Sequence, residues 1–65
     1  MTKQEIFDRF LDDLEQPLIQ MLLYRSFRKW ATARDELIRY YSFETGIPED
    51  EFHTAIARKM SAAQG

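Results

Sequence analysis

The stretch that decides the fold runs from Pro17 to Glu44 and reads PLIQMLLYRSFRKWATARDELIRYYSFE. After Pro17 the chain has no proline or glycine until Gly46, so no residue in between is a strong helix breaker. The stretch also holds the only tryptophan, all three tyrosines and five of the nine basic residues. We therefore predict one long helix here, with the rest of the chain packed around it.

A single helical phase accounts for the apolar residues along this stretch. At 100° per residue they fall within an arc of about 140°. This predicted dimer or core face consists of Ile19, Leu22, Leu23, Phe27, Trp30, Leu37, Tyr40 and Tyr41. The alternative is a break that gives four helices, with Thr32 as N-cap and Asp35 as its capping partner. Because a break would disturb the common phase, we favour a continuous helix over 17–44.

A shorter helix is predicted before the central one. Thr2 and Glu5 have the spacing of a capping box, which places the first helix at about 3–15. The residue before a proline is biased away from helical angles, so we place a break at Glu15–Gln16. A single kinked helix running through the proline is the alternative.

A third helix is predicted at about 48–62. Gly46 suits the left-handed position that ends a helix, and Pro48 suits the first turn of the next one. The predicted fold is therefore all-α, with helices at about 3–15, 17–44 and 48–62 in a single small domain, 1–65.

The length of 65 residues predicts a partner chain. A domain this small buries only about 60% of its unfolded surface, so its core is marginal. The chain has no cysteine and one histidine, which excludes disulfides and a His-rich or thiolate zinc site within one chain. The apolar arc of the long helix is wider than one neighbouring helix covers. We therefore expect a homodimer.

The sequence predicts a soluble, cytoplasmic protein that does not enter membranes. Its first ten residues, MTKQEIFDRF, are acidic where a signal peptide would be positive and then apolar. The longest apolar run, 21–24, is far too short to span a bilayer. The lack of cysteine is typical of a cytosolic protein.

Charge is unevenly distributed, although the net charge is only −2. Residues 17–43 carry five bases and two acids, whereas the segments on either side are acidic. The bases lie mainly on the far side of the long helix, away from the aromatic residues, so stacking on a nucleic acid is not expected. We predict protein partner-binding surfaces at Arg25, Arg28, Lys29, Arg39, Glu49, Asp50 and Glu51.

The segment 37–60, LIRYYSFETGIPEDEFHTAIARKM, allows a second interpretation. Its spacing of Ser42, Gly46, Ile47 and Phe52 resembles the helix-turn-helix motifs of phage repressors. The resemblance implies a small DNA-binding transcriptional regulator. However, the first turn of a recognition helix faces DNA, and here that turn holds three acids. We therefore favour an ordinary helical corner, with DNA binding as the alternative function.

No catalytic, cofactor or metal site is predicted. The hydroxyl residues are scattered, and there is no glycine-rich phosphate loop. Glu49 and His53 lie one turn apart and could hold half a metal site or act as an acid–base couple, but such pairs are commonly just favourable neighbours. The sequence is best interpreted as a small non-catalytic regulatory or adaptor protein that binds another protein, as a homodimer.

Overall fold

The computed structural model describes residues 2–64, with the side chains of residues 2–62. It has three helices, α1 (Lys3–Tyr24), α2 (Phe27–Thr45) and α3 (Glu49–Gln64). α2 runs back along α1, since Tyr41 contacts the first half of α1 while Trp30 lies beside its second half. α3 packs against both helices. The prediction of an all-α fold with three helices is confirmed, although two of the helix boundaries differ from the predicted ones.

The helix ends that carry local signals lie where they were predicted. The Thr2 hydroxyl accepts the Glu5 backbone N–H at 3.2 Å, which caps α1. Gly46 ends α2 in the left-handed region, at φ 75°, and its N–H donates to the Ser42 carbonyl at 2.9 Å. Over the described residues, none of the helices is long and apolar enough to cross a membrane.

The predicted break at Glu15–Gln16 is wrong, because α1 continues through Pro17 to Tyr24. Proline has no N–H, so the Asp13 carbonyl loses its helical donor at this point. Continuing the helix keeps Leu18 and Met21 on the same side as Phe10 and Leu14, where they pack against the core. The burial of this stripe offsets the cost of an internal proline, and the kinked-helix alternative was nearer to the structure.

The continuous helix over 17–44 is also wrong, but the break is not at Thr32. It lies at Arg25–Ser26, between the end of α1 and the start of α2. Thr32 is inside α2, and its hydroxyl donates to the Arg28 carbonyl at 3.0 Å instead of capping a new helix. The predicted central helix is therefore divided between α1 and α2.

The core is a small cluster contributed by all three helices. Its buried members are Phe10, Leu14, Trp30, Ile38, Phe52 and Ile56. The rings of Phe10 and Phe52 lie 4.9 Å apart between centroids, and Tyr41 lies 5.4 Å from Phe10. Such tilted and edge-to-face contacts add to the free energy of burial. The phenylalanine pair joins α1 to α3, and the tyrosine joins α2 to α1.

The corner at 25–26 changes which residues of the predicted apolar face reach the core. Trp30 is buried, and Leu37 and Tyr41 are half-buried against the core. The prediction of a core position is wrong for the other five members, because they are exposed: Ile19, Leu22, Leu23, Phe27 and Tyr40. The phase of α1 turns Leu18 and Met21 inward, and Ile19, Leu22 and Leu23 outward. Their role in a dimer remains a prediction.

Tyr41 and Asp13 form a hydrogen bond between α2 and α1, in which the phenol donates to the carboxylate. Burial is the largest cause of a raised pKa at Tyr41, and the bond to Asp13 and its negative charge act in the same direction. Together they raise the pKa of Tyr41 from 10.0 to about 12. The folded protein therefore favours the neutral phenol.

We expect this pair to make stability fall at high pH. A group with a raised pKa in the folded state stabilises fully below its unfolded pKa, and this contribution is lost as the pH rises through the folded value. The free energy of unfolding should hence decrease between pH 10 and about 12. Urea titrations across this range should show a smaller decrease for Tyr41→Phe, which has no phenol to titrate. Identical pH curves for the two proteins would contradict the assignment.

Candidate interaction surface

The corner between α1 and α2 is formed without glycine or proline. Arg25 ends α1 in the left-handed region, at φ 52° and ψ 37°, a conformation that costs a non-glycine residue about 1 kcal/mol. Ser26 is the N-cap of α2, but its side chain makes no capping bond. Its carbonyl accepts the Trp30 N–H at 3.3 Å. Serine is a favoured N-cap, and this was the one sequence signal for the corner.

Exposed aromatic and basic side chains surround this corner. The corner surface consists of Tyr24, Arg25, Phe27, Arg28 and Lys29, all of which are exposed. Tyr24 is 76% exposed and Phe27 is 64% exposed, large values for aromatic residues. In the described part of the chain, the three bases take part in no ion pair. The corner surface thus combines uncovered apolar area with uncompensated positive charge.

A groove of about 320 Å³ lies next to the corner surface, between α1 and α2. Its lining consists of Pro17, Gln20, Met21, Tyr24, Ser26, Lys29, Trp30 and Ala33. Trp30 forms a buried wall, with the Arg34 guanidinium 4.9 Å from its ring centroid. Arg34 also donates from Nε to Asp35 at 3.2 Å. This arginine is therefore used within the fold, unlike the bases of the corner surface.

The Trp30 indole nitrogen is buried without a hydrogen-bond partner. An unpaired buried donor costs about 1–3 kcal/mol, which is similar to what a smaller ring would lose in burial. We therefore expect Trp30→Phe to change the free energy of unfolding by less than about 1 kcal/mol in a urea titration. A loss above about 2 kcal/mol would show that burial of the larger ring outweighs the cost of its unpaired donor.

A second exposed surface covers the outer side of α1. At 100° per residue its members lie opposite the core residues of the same helix. The α1 back surface consists of Asp8, Asp12, Glu15, Ile19, Leu22 and Leu23, all exposed. Leu22 is 69% exposed and Leu23 is 71% exposed. This surface is apolar near the corner and acidic towards the start of the helix.

The other predicted partner-binding residues lie away from the corner. Arg39 is exposed further along α2. Glu49 and Asp50 are exposed at the start of α3, but Glu51 forms an ion pair with Lys3 that joins α3 to the start of α1. The structure brings Arg25, Arg28 and Lys29 together and leaves the acids at the opposite end of the bundle. Tyr24, which the sequence did not single out for binding, joins the basic group.

The turn at 46–48 has the form of a tight helical corner. Ser42 donates from its hydroxyl to the Ile47 carbonyl at 2.7 Å, which fixes the turn beneath Gly46. The first turn of α3 follows directly and presents Glu49 and Asp50 to solvent. A recognition helix would place that turn against phosphates. The order of elements matches a helix-turn-helix, whereas the charge at its leading turn opposes DNA.

The polar groups outside the corner include Glu49, His53 and two threonine hydroxyls. Glu49 and His53 are exposed on α3, and within residues 2–64 no group of three or more potential ligands could hold a metal ion. The hydroxyls of Thr45 and Thr54 donate to backbone carbonyls one turn earlier, at 2.6 and 3.0 Å. These bonds hold both hydroxyls against their own helices.

No family model, no curated protein and no solved structure matches this chain. The candidate site therefore rests on the chemistry of its own residues. Exposed tyrosine, phenylalanine and arginine are the residue types enriched at protein interfaces. The corner surface holds all three types within six consecutive positions, 24–29.

Proposed function

We propose that this chain is a small, non-catalytic regulatory or adaptor protein that binds another protein through the corner surface, as a homodimer. The main support for this proposal is that Tyr24 and Phe27 are exposed beside three unpaired bases. Binding energy at interfaces is concentrated in a few aromatic and arginine residues. The left-handed Arg25 holds these side chains on a tight turn between two packed helices.

The partner that fits this surface is an acidic segment with apolar side chains. Arg25, Arg28 and Lys29 provide three positive charges, which would steer and orient an acidic chain. The adjacent groove offers apolar contacts from Pro17 and Met21. A segment that fills the groove would cover aromatic area now in water, at roughly 25 cal/mol per Å² buried.

A non-catalytic role is supported by the way the hydroxyl groups are used. Four of them donate to backbone carbonyls and so stabilise helices and turns; they belong to Thr32, Ser42, Thr45 and Thr54. A catalytic nucleophile needs a neighbouring base and a free oxygen. The proposed role for these residues is therefore structural.

Duplex DNA is the less favoured alternative partner, through α3. The exposed Glu49 and Asp50 would repel phosphates at the leading turn. We expect no retardation of duplex DNA in a gel at low salt. Retardation that disappears steeply as salt rises would favour a DNA-binding regulator over the adaptor, since phosphate contacts release counterions.

The corner surface can be tested with pairs of variants matched in residue type. Tyr24→Ala with Phe27→Ala removes the corner aromatics, and Tyr40→Ala with Phe43→Ala removes a similarly exposed pair on α2. The immobilised wild type and both double variants are used to capture proteins from lysate. We expect one partner to be retained by the wild type and the Tyr40/Phe43 variant, and lost with the Tyr24/Phe27 variant.

A second matched pair tests the charges. The dipeptide Arg-Lys occurs at 28–29 in the corner surface and again at 58–59 on α3. Reversal of 28–29 to glutamates should abolish retention of the same partner and reversal of 58–59 should preserve it, because only the first pair belongs to the corner surface. Retention that is equal for all variants would contradict the proposal.

A further inference from the structure

We propose that the α1 back surface is the seam of a twofold homodimer in which the two α1 helices run antiparallel. This inference rests on the homodimer in the proposed function and specifies its geometry. In such an arrangement Ile19 of one copy meets Leu22 of the other, and the reverse contact follows by symmetry. The seam lies beside the corner and includes no residue of the corner surface.

The chain exposes more surface than is expected of a folded monomer of its mass. The accessible surface is 5110 Å², whereas a folded monomer of 7.8 kDa is expected to expose about 4,400 Å². The excess of roughly 700 Å² is close to the ~800 Å² that each partner buries in a standard interface. The chain therefore exposes about as much additional area as a stable dimer would cover.

The α1 back surface contributes a patch of exposed aliphatic side chains. Leu22 and Leu23 are more than two-thirds exposed, and Ile19 is 40% exposed beside them. Leucine side chains at this exposure gain most of the free energy of burial when a second apolar surface covers them. The three residues form one continuous patch on a regular helix, and a patch of this kind packs well against a copy of itself.

Charge selects the antiparallel orientation. Towards the start of α1 the back surface is acidic, with Asp12 and Glu15, whereas it is apolar towards the end of the helix. In a parallel pair the acids of the two copies would lie side by side and repel. When the helices are antiparallel and Ile19 meets Leu22, the acids of the two copies lie towards opposite ends of the seam. The antiparallel orientation therefore brings the apolar patches together and keeps the acids apart.

The molecular mass in solution tests whether the seam forms. Its residues are exposed in the folded protomer, so they can be replaced without disturbing the core. Light scattering at high micromolar concentration should give about twice the chain mass of 7.8 kDa. Leu22→Glu should raise the dimer dissociation constant at least about thirtyfold. The control Phe43→Glu, at a residue 86% exposed on α2, should leave it unchanged. A wild-type mass near that of one chain would overturn the proposal.

Disulfide formation tests the orientation, because the chain has no cysteine of its own. A mixture of the Ile19→Cys and Leu22→Cys variants should form mainly the mixed disulfide on oxidation, because Ile19 meets Leu22 in the antiparallel pair. A predominance of disulfides between identical variants would overturn the antiparallel register. The Leu22→Glu monomer also separates the two proposals: if it no longer dimerises but retains the partner captured by the wild type, the corner surface acts independently of the seam.

Discussion

Replacement of Phe10 by alanine is expected to leave most of the chain unfolded at 25 °C. The Phe10 side chain is fully buried and contacts Tyr41 of α2 and Phe52 of α3, so it joins all three helices. Truncation of a buried phenylalanine costs about 3–5 kcal/mol through lost burial and the cavity left behind. The core of a domain below 70 residues supplies about the same amount of net stability. Far-UV circular dichroism and urea titration would measure the loss.

The matched control for this substitution is Phe43→Ala. Phe43 is 86% exposed, so its removal should change the free energy of unfolding by less than about 0.5 kcal/mol. Both variants must be compared at the same protein concentration, because the proposed dimerisation would link stability to concentration. A cooperative transition for Phe10→Ala within 1 kcal/mol of the wild type would show that the aromatic cluster is not the core of the fold.

The fold could be predicted from the sequence wherever a local interaction decides the structure. Thr2 caps α1 through its own hydroxyl, and Gly46 ends α2 because glycine tolerates a positive φ without strain. These features act over one helical turn. They were enough to predict three helices, the start of α1 and the turn before α3.

Two boundaries could not be predicted because tertiary packing decides them. Local preference places a break before Pro17, yet α1 continues so that Leu18 and Met21 extend its buried stripe. The chain breaks instead at Arg25, where no glycine marks the left-handed position. Both the internal proline and the left-handed arginine are locally unfavourable. Packing of the second half of α1 against Trp30 stabilises them together.

Only part of the candidate site could be predicted from the sequence. Arg25, Arg28 and Lys29 were predicted to be exposed, and they are, since charge alone keeps them in water. Phe27 was assigned to the dimer or core face because a continuous helix would turn it inward with Trp30. The corner leaves it at the open end of the bundle instead. A two-residue interruption is enough to convert an inward apolar stripe into two outward surfaces.

Replacement of Pro17 by alanine is expected to stabilise the protein by about 2 kcal/mol. A proline inside a helix costs about 3 kcal/mol relative to alanine, because it removes one backbone hydrogen bond and crowds the preceding turn. Part of this gain is offset because the half-buried ring loses its contacts in the groove. Urea titration of Pro17→Ala against the wild type would measure the difference.

The sign of this effect distinguishes the two arrangements of the chain. If a helix started at Pro17, the proline would occupy the first helical position, where it is favourable, and alanine would bring no gain. Pro48 provides the control, since it is exposed and directly precedes α3, and Pro48→Ala should shift the free energy by less than about 0.5 kcal/mol. Stabilisation at residue 17 alone therefore requires a continuous α1. That continuity places Leu22 and Leu23 on the outer side of the helix, where a second copy can reach them.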